Sequence, residues 1–204
     1  MRPASKVEIS TAKVSKVKGV TRADGVYLED WWDASTVYSD NVPIYLYPVS
    51  GNFGSINVEG VAATGDTGTA NGLYMTNVAL PVTVGDLSVA SISAEGENGS
   101  AYGVRLRSAT LNITGNVNIT LEESASGDYK GAFSDSSSEE EVNVRNAAVR
   151  VDQAGVVAFS GEGTRRIDGA ILVGGDAGSE SSPASLSFSG GTTQIAGDIY
   201  VANG

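Results

Sequence analysis

One phrase returns along this chain, and it restricts the fold more than any other feature. In Val82-Thr83-Val84-Gly85-Asp86-Leu87-Ser88-Val89, in Leu111-Asn112-Ile113-Thr114-Gly115-Asn116-Val117-Asn118-Ile119 and in Thr193-Gln194-Ile195-Ala196-Gly197-Asp198-Ile199-Tyr200-Val201, alternating apolar residues lead to Gly with Asp or Asn and then alternate again. Asn52-Phe53-Gly54-Ser55-Ile56-Asn57-Val58 is a looser copy. A second phrase opens a short alternating run with Gly, at Gly25-Val26-Tyr27-Leu28, Gly72-Leu73-Tyr74-Met75, Gly103-Val104-Arg105-Leu106 and Gly131-Ala132-Phe133. Gly72 and Gly103 are 31 residues apart, Gly103 and Gly131 28, and Gly85 and Gly115 30, a period of about 30.

Alternation with period two sends one set of side chains inward and the other outward, so each period holds two or three strands. A single period cannot bury its apolar side. Periods must stack, and stacking brings equivalent runs together as parallel strands. The Gly-Asp and Gly-Asn pairs then fall at corners, where we expect positive φ and a short polar side chain capping the turn. The rival reading is an antiparallel sandwich or barrel, because Asn-Gly and Asp-Gly turns join hairpins. Here Gly comes first and the intervals are long, which favours the solenoid.

The period also divides the chain. Residues 1–50 fit it poorly: Val7, Ile9, Val14, Val17 and Val20 stand among Lys and Ser, as one or two strands and a cap over an end that would otherwise expose unpaired edges. Residues 51–204 hold the repeats, with polar insertions near 122–141 and 174–183. The run Asp135–Glu141 must be solvated, and loops leaving one side of a regular stack are where such folds place specificity. The last residues, Val201-Ala202-Asn203-Gly204, directly follow a strand phrase, so we expect the natural protein to continue or this end to meet another molecule.

Charge and composition narrow the functions. The formal charge of -11 is uneven: residues 1–22 hold six Lys or Arg against one acid, which leaves +5 there and -16 on the rest. An acidic body repels phosphate backbones and anionic lipid, so no nucleic acid is expected as a partner. With no Cys and no His, disulfides, thiolate metal sites, Cys nucleophiles and His-dependent triads drop out together. No stretch has the roughly 18 apolar residues of a membrane-spanning helix, and residues 1–22 lack the apolar centre of a signal peptide. Contact with a membrane is therefore expected only through a region outside this chain.

The apolar–Gly–Asp/Asn–apolar phrases, the Gly-Val and Gly-Leu starts, the Ser, Thr and Gly-rich turns and the lack of Cys together resemble the passenger domains of Gram-negative autotransporters of adhesin or self-associating type, over about residues 51–204. The resemblance implies an all-β fold, a right-handed parallel β-helix, here with an irregular N-terminal cap. It also implies an extracellular place at the bacterial outer-membrane surface. The work implied is adhesion or self-association, without catalysis or cofactor, and the partner is a host surface protein or glycan, or another copy of the chain.

Aromatic residues are few, so their clustering singles out Trp31, Trp32, Tyr45 and Tyr47 as candidate ligand-binding residues; Tyr45 and Tyr47, two apart on a strand, would face one way and stack on sugars or anchor a protein. The plainer alternative is a plug for the end of the stack. Asp86 and Asp198 hold the same place in the phrase, and glycoside hydrolysis needs two acids, but Asp after Gly is first a corner residue. Arg165, Arg166 and Asp168 would suit a polysaccharide lyase or depolymerase, the enzymatic alternative, against an ordinary charged turn. Glu139, Glu140 and Glu141 lack the alternation of a calcium loop, and Gly174-Gly175-Asp176 lacks the repeated nonapeptide, so no metal site is expected. Asn98, Asn112 and Asn118 match the glycosylation pattern, yet Asn112 and Asn118 read better as outward strand positions. A structural spacer, or a filament subunit assembling head to tail, is the third reading.

Overall fold

The computed structural model describes residues 6–31, 34–39, 42–46, 50–121, 146–174 and 183–201, and among them the chain is all-β, with no helix. Strand β1 (Lys6–Gly19) leads to β2 (Arg22–Trp31), then to β3 (Ala34–Ser39) and β4 (Val42–Leu46). The first pattern returns in β5 (Ser50–Ala63) with β6 (Thr69–Thr76) and in β7 (Val82–Ala94) with β8 (Ser100–Arg107). From there the long first strand of each repeat breaks in two. Strands β9 (Thr110–Ile113) and β10 (Val117–Leu121) precede β11 (Asn146–Val151), and β12 (Val156–Phe159) and β13 (Thr164–Asp168) precede β14 (Ile171–Val173). Finally β15 (Ser185–Phe188) and β16 (Thr192–Ala196) precede β17 (Ile199–Val201).

Two sheets result. In the first, β1, β5 and β7 pair in series, and β7 then divides into two branches, β9–β12–β15 and β10–β13–β16. The second runs β17-β14-β11-β8-β6-β2-β3-β4. Only β2–β3 and β3–β4 pair antiparallel; the other described pairings are parallel. Register repeats at the expected step: Asn52 lies opposite Thr83, 31 residues on, Thr83 opposite Asn112, 29 on, and Val156 opposite Ser185, 29 on. Insertions lengthen the step without changing the ladder. Lys6 lies opposite Ser50, 44 on, across β3 and β4, and Val117 opposite Arg165, 48 on. The ladder thus begins before residue 51, in β1 and β2.

Inward side chains form columns that cross the repeats. Ile9, Phe53, Val84, Ile113, Phe159 and Phe188 make one, and Val26, Leu73, Val104, Val149, Ile171 and Ile199 another. Most members are fully buried in one continuous core. Full burial of such a residue contributes about 1.5–3 kcal/mol, which fixes the register, because a one-residue slip would turn every column outward.

Three sequence expectations change. First, Gly197-Asp198 does not occupy the position of Gly85-Asp86: β16 stacks on β13, so Gly197 packs on Gly169 where the chain passes from the first sheet to the second, whereas Gly85 lies inside β7 and Gly115 at the break between β9 and β10 of the first sheet, so that neither is at a corner between the two sheets. Second, the run that stacks on Gly103-Val104-Arg105 is Ala148-Val149-Arg150, and Gly131 lies outside the described residues. Third, positive φ is not what Gly85 supplies. A Cβ there would stand 2.3 Å from the Gly54 carbonyl oxygen, so close stacking excludes a side chain. Positive φ falls instead on a column of unlike residues, Lys16 (φ 59), Gly60 (φ 75) and Ser91 (φ 56), on Asn77, Ser108 and Ala154 at the exits from the second sheet, and on other glycines in the later repeats, among them Gly161 between β12 and β13 and Gly190 and Gly191 between β15 and β16.

Candidate functional site

The outward faces of the two sheets differ in chemistry. On the first sheet the outward columns are polar and carry no aromatic ring, as in Asn57, Ser88, Asn118, Arg166 and Gln194, or Asn52, Thr83 and Asn112. Asn112 and Asn118 are therefore outward strand positions. On the second sheet one register position is occupied in turn by Tyr27, Tyr74, Arg105, Arg150, Leu172 and Tyr200, an unbroken row across six strands. Beside it runs Asp24, Asn71, Tyr102 and Ala147. Tyr102, Ala147 and Leu172, with Tyr200 against them, form an apolar cluster separate from the main core.

Cations and rings alternate along this face. The Arg22 guanidinium lies 4.2 Å from the Tyr27 ring centroid and 4.8 Å from that of Tyr74, Arg105 lies 5.3 Å from Tyr74 and 5.1 Å from Tyr102, and Arg150 lies 5.2 Å from Tyr102. Each such contact contributes about 0.5–2 kcal/mol, more where water is excluded. Carboxylates hold the cations in place: Arg22 pairs with Asp24 at 2.5 Å, and Asp152, at the exit from β11, receives Arg105 Nε at 3.0 Å on one oxygen and Arg150 Nε at 2.6 Å on the other. Arg150 Nη1 also donates to the Tyr102 hydroxyl at 2.8 Å, Asn71 Nδ2 donates to Asp24 at 2.7 Å, and the Tyr27 hydroxyl donates to the Glu29 carboxylate.

Electrostatics follow from burial. Burial raises the Asp24 carboxyl above its ordinary range, with Arg22 and Asn71 offsetting part of the effect. Burial and the Glu29 acceptor push the Tyr27 phenol far up, so it stays a hydrogen-bond donor at neutral pH. The arrangement leaves parts of its rings and guanidinium groups open, while the Asp24 and Asp152 carboxylates that hold the cations are largely buried, which suits contact with polar, ring-bearing or peptide surfaces.

The residues singled out from sequence are dispersed. Trp31 ends β2 and Tyr45 lies in β4, separated in the sheet by β3, while Trp32 and Tyr47 lie outside the described residues. Asp86 lies inside β7 and not at a corner: its Oδ1 accepts from Asn116 N at 2.7 Å, at the break between β9 and β10, and Asn116 Oδ1 in turn accepts from Thr164 N at 3.0 Å. The trio Arg165, Arg166 and Asp168 is split by strand alternation. Arg166 and Asp168 pair on the outside at 2.8 Å, but Arg165 is fully buried in the column of Val117 and Thr193. Its guanidinium donates to the carbonyls of Gly161 (2.6 Å), Ser189 (2.9 Å) and Gly190 (2.7 Å) and to Thr193 Oγ1 (3.3 Å), which ties the corner of one repeat to the next. Glu139, Glu140, Glu141, Gly175 and Asp176 lie outside the described residues.

Sequence reasoning missed the Tyr–Arg row, although a signal was present. Tyr27, Tyr74 and Arg105 each stand two places after the Gly that opens its run. In comparisons with known proteins, no family model matches the chain, and no curated protein and no solved structure matches it.

Proposed function

We propose that this chain is a stretch of right-handed parallel β-helix that acts without catalysis, as an adhesin or self-association module at the exterior of a Gram-negative cell, in the manner of autotransporter passenger domains. What supports the handedness is general: crossovers between parallel strands of one sheet are right-handed in nearly all proteins. What supports a binding role is the row Tyr27, Tyr74, Arg105, Arg150 and Tyr200, which carries aromatic and guanidinium groups along one face and is interrupted by the buried Leu172. The partner is a host surface protein or glycan, or another copy of the chain, and many modest contacts along the face are multiplied by multivalency between cells.

The depolymerase alternative has less to stand on, because Arg165 is turned away from Arg166 and Asp168. Display of the chain on a non-adherent cell tests the proposal: aggregation or binding to host-matrix and glycan surfaces is expected, and Tyr74→Ala combined with Arg105→Gln is expected to abolish it while the chain stays folded. Adhesion indifferent to that pair, or absent from the outset, would sink it.

A further inference from the structure

We propose that Arg105 and Arg107, on the outer face of β8, bind the carboxylate of an acidic sugar. Beyond residue 22 the chain has seven Lys and Arg, of which Lys130 and Arg145 lie outside the described residues. Arg165 is buried against carbonyls, and Arg166 pairs with Asp168. The other three share one face in the middle of the stack. Arg105 and Arg107 flank the fully buried Leu106, so strand alternation turns both outward, and Arg150 lies opposite Arg105 in register. Asp152 fixes Arg105 by accepting from its Nε at 3.0 Å, and is itself held by Arg150 Nε at 2.6 Å on the other oxygen. Arg105 is thus anchored through Nε alone: among the described residues its two Nη atoms donate no hydrogen bond, and the exposed Arg107 pairs with no carboxylate. Two like charges on one face repel, and a carboxylate received between them relieves the repulsion while accepting from donors already in place.

The surroundings select what carries the carboxylate. A polyanion is disfavoured, because residues 23–204 hold 23 acids against seven Lys and Arg, a net charge of -16. An acidic peptide needs apolar anchors, and the apolar cluster of this face is closed to it: Tyr102, Ala147 and Leu172 are 4%, 0% and 1% exposed. A single acidic sugar needs neither. Its carboxylate meets the guanidinium groups, and its ring hydroxyls meet the hydroxyl of Tyr74, which makes no hydrogen bond among the described residues and whose ring centroid lies 5.3 Å from the Arg105 guanidinium.

This site deepens the adhesive reading of the same face and rests on it for its place at a cell surface. The 204-residue chain is titrated with glucuronic acid and with N-acetylneuraminic acid, each beside its methyl ester, and followed through the arginine Nε–Hε signals in NMR. At least one acid is expected to bind with a Kd of about 1 mM, moving the Arg105 signal and leaving that of the buried Arg165 in place. Its ester is expected to bind about tenfold more weakly, and so is the acid to Arg107→Gln, a change at one exposed side chain, while Lys13→Gln in the basic first strand leaves binding intact. Failure of both acids to bind overturns the proposal. So does equal binding of acid and ester, or a loss that follows Lys13→Gln in place of Arg107→Gln. Adhesion abolished by the Tyr74 and Arg105 changes, in a chain that binds neither acid, would leave the adhesive reading standing and remove this one; binding of an acid without adhesion does the reverse.

Discussion

A Cβ on Gly103 would stand 2.5 Å from Ile119 Cγ2 across the interior, and 2.6 Å from the Ala148 carbonyl oxygen on the neighbouring strand. One repeat earlier Gly72 meets Val89 and the Gly103 carbonyl in the same way, at 2.3 Å and 2.6 Å. The two sheets therefore come closest along a line where one has no side chain and the other has a β-branched one. Glycine weakens a strand by its flexibility, and here that cost is offset by the approach it permits.

Gly103→Ala is accordingly expected to lower stability by about 1–3 kcal/mol, the usual range for overpacking, and Gly103→Val by more. Ile119→Ala is costly by itself, because the side chain is fully buried, but combined with Gly103→Ala it should lose less than the sum of the two single losses, since it removes one of the two contacts that the added Cβ meets. Urea unfolding of the two single variants and the double variant checks this, and strict additivity would count against the packing.

Arg165 fastens the last repeat to the one before it through the Gly161, Ser189 and Gly190 carbonyls. Arg165→Leu fills the space yet leaves those carbonyls unpaired, and a cost of about 3 kcal/mol is expected. Hydrogen exchange should locate the effect in β15 and β16 ahead of the repeats around β7. Uniform loosening of the whole chain would contradict this role.

Lys16, Gly60 and Ser91 share a left-handed backbone at one column, with φ of 59, 75 and 56. A residue with a Cβ is strained there by about 1–2 kcal/mol relative to the ordinary helical hand. Ser91→Gly is therefore expected to raise stability by up to about 1 kcal/mol, and Gly60→Ala to lower it by a similar amount. Thermal melts of the two variants should shift in opposite directions.

Asp24 predicts a pH effect of definite sign. Burial raises its folded-state pKa above the ordinary 3.8, so the folded chain holds this proton more tightly than the unfolded one. The resulting stability is complete below the ordinary value and is lost as pH rises through the raised one. Asp24→Asn should flatten that part of the stability–pH curve, measured by urea unfolding at a series of acidic pH values. Parallel curves for the two proteins would argue against the burial.

Much of the architecture was legible because its signals are local. Val82-Thr83-Val84 and Leu111-Asn112-Ile113 alternate, and the structure stacks them in parallel register. Asp86 and Asn116 each follow Gly and bond to each other across the repeats, although Asp86 lies inside β7 and only Asn116 falls between strands. The Gly-Asp pair at 197–198 misled, because the same two residues serve a different position, and a short phrase does not say which. The aromatic cluster Trp31, Trp32, Tyr45 and Tyr47 drew notice by nearness in sequence. The row from Tyr27 to Tyr200 did not, since its members lie 22 to 47 residues apart and mix Tyr with Arg and Leu.

By itself the sequence determined that the chain is made of strands, that the strands recur at about thirty residues, and that the recurrence demands parallel stacking; each follows from alternation and from glycine, which act over a few residues. Only the tertiary structure decided which runs stack across the insertions, that Arg165 points inward, and that one outer face gathers tyrosines and arginines. Those outcomes depend on register, and register is set by the summed packing of whole columns, a quantity that no single segment contains.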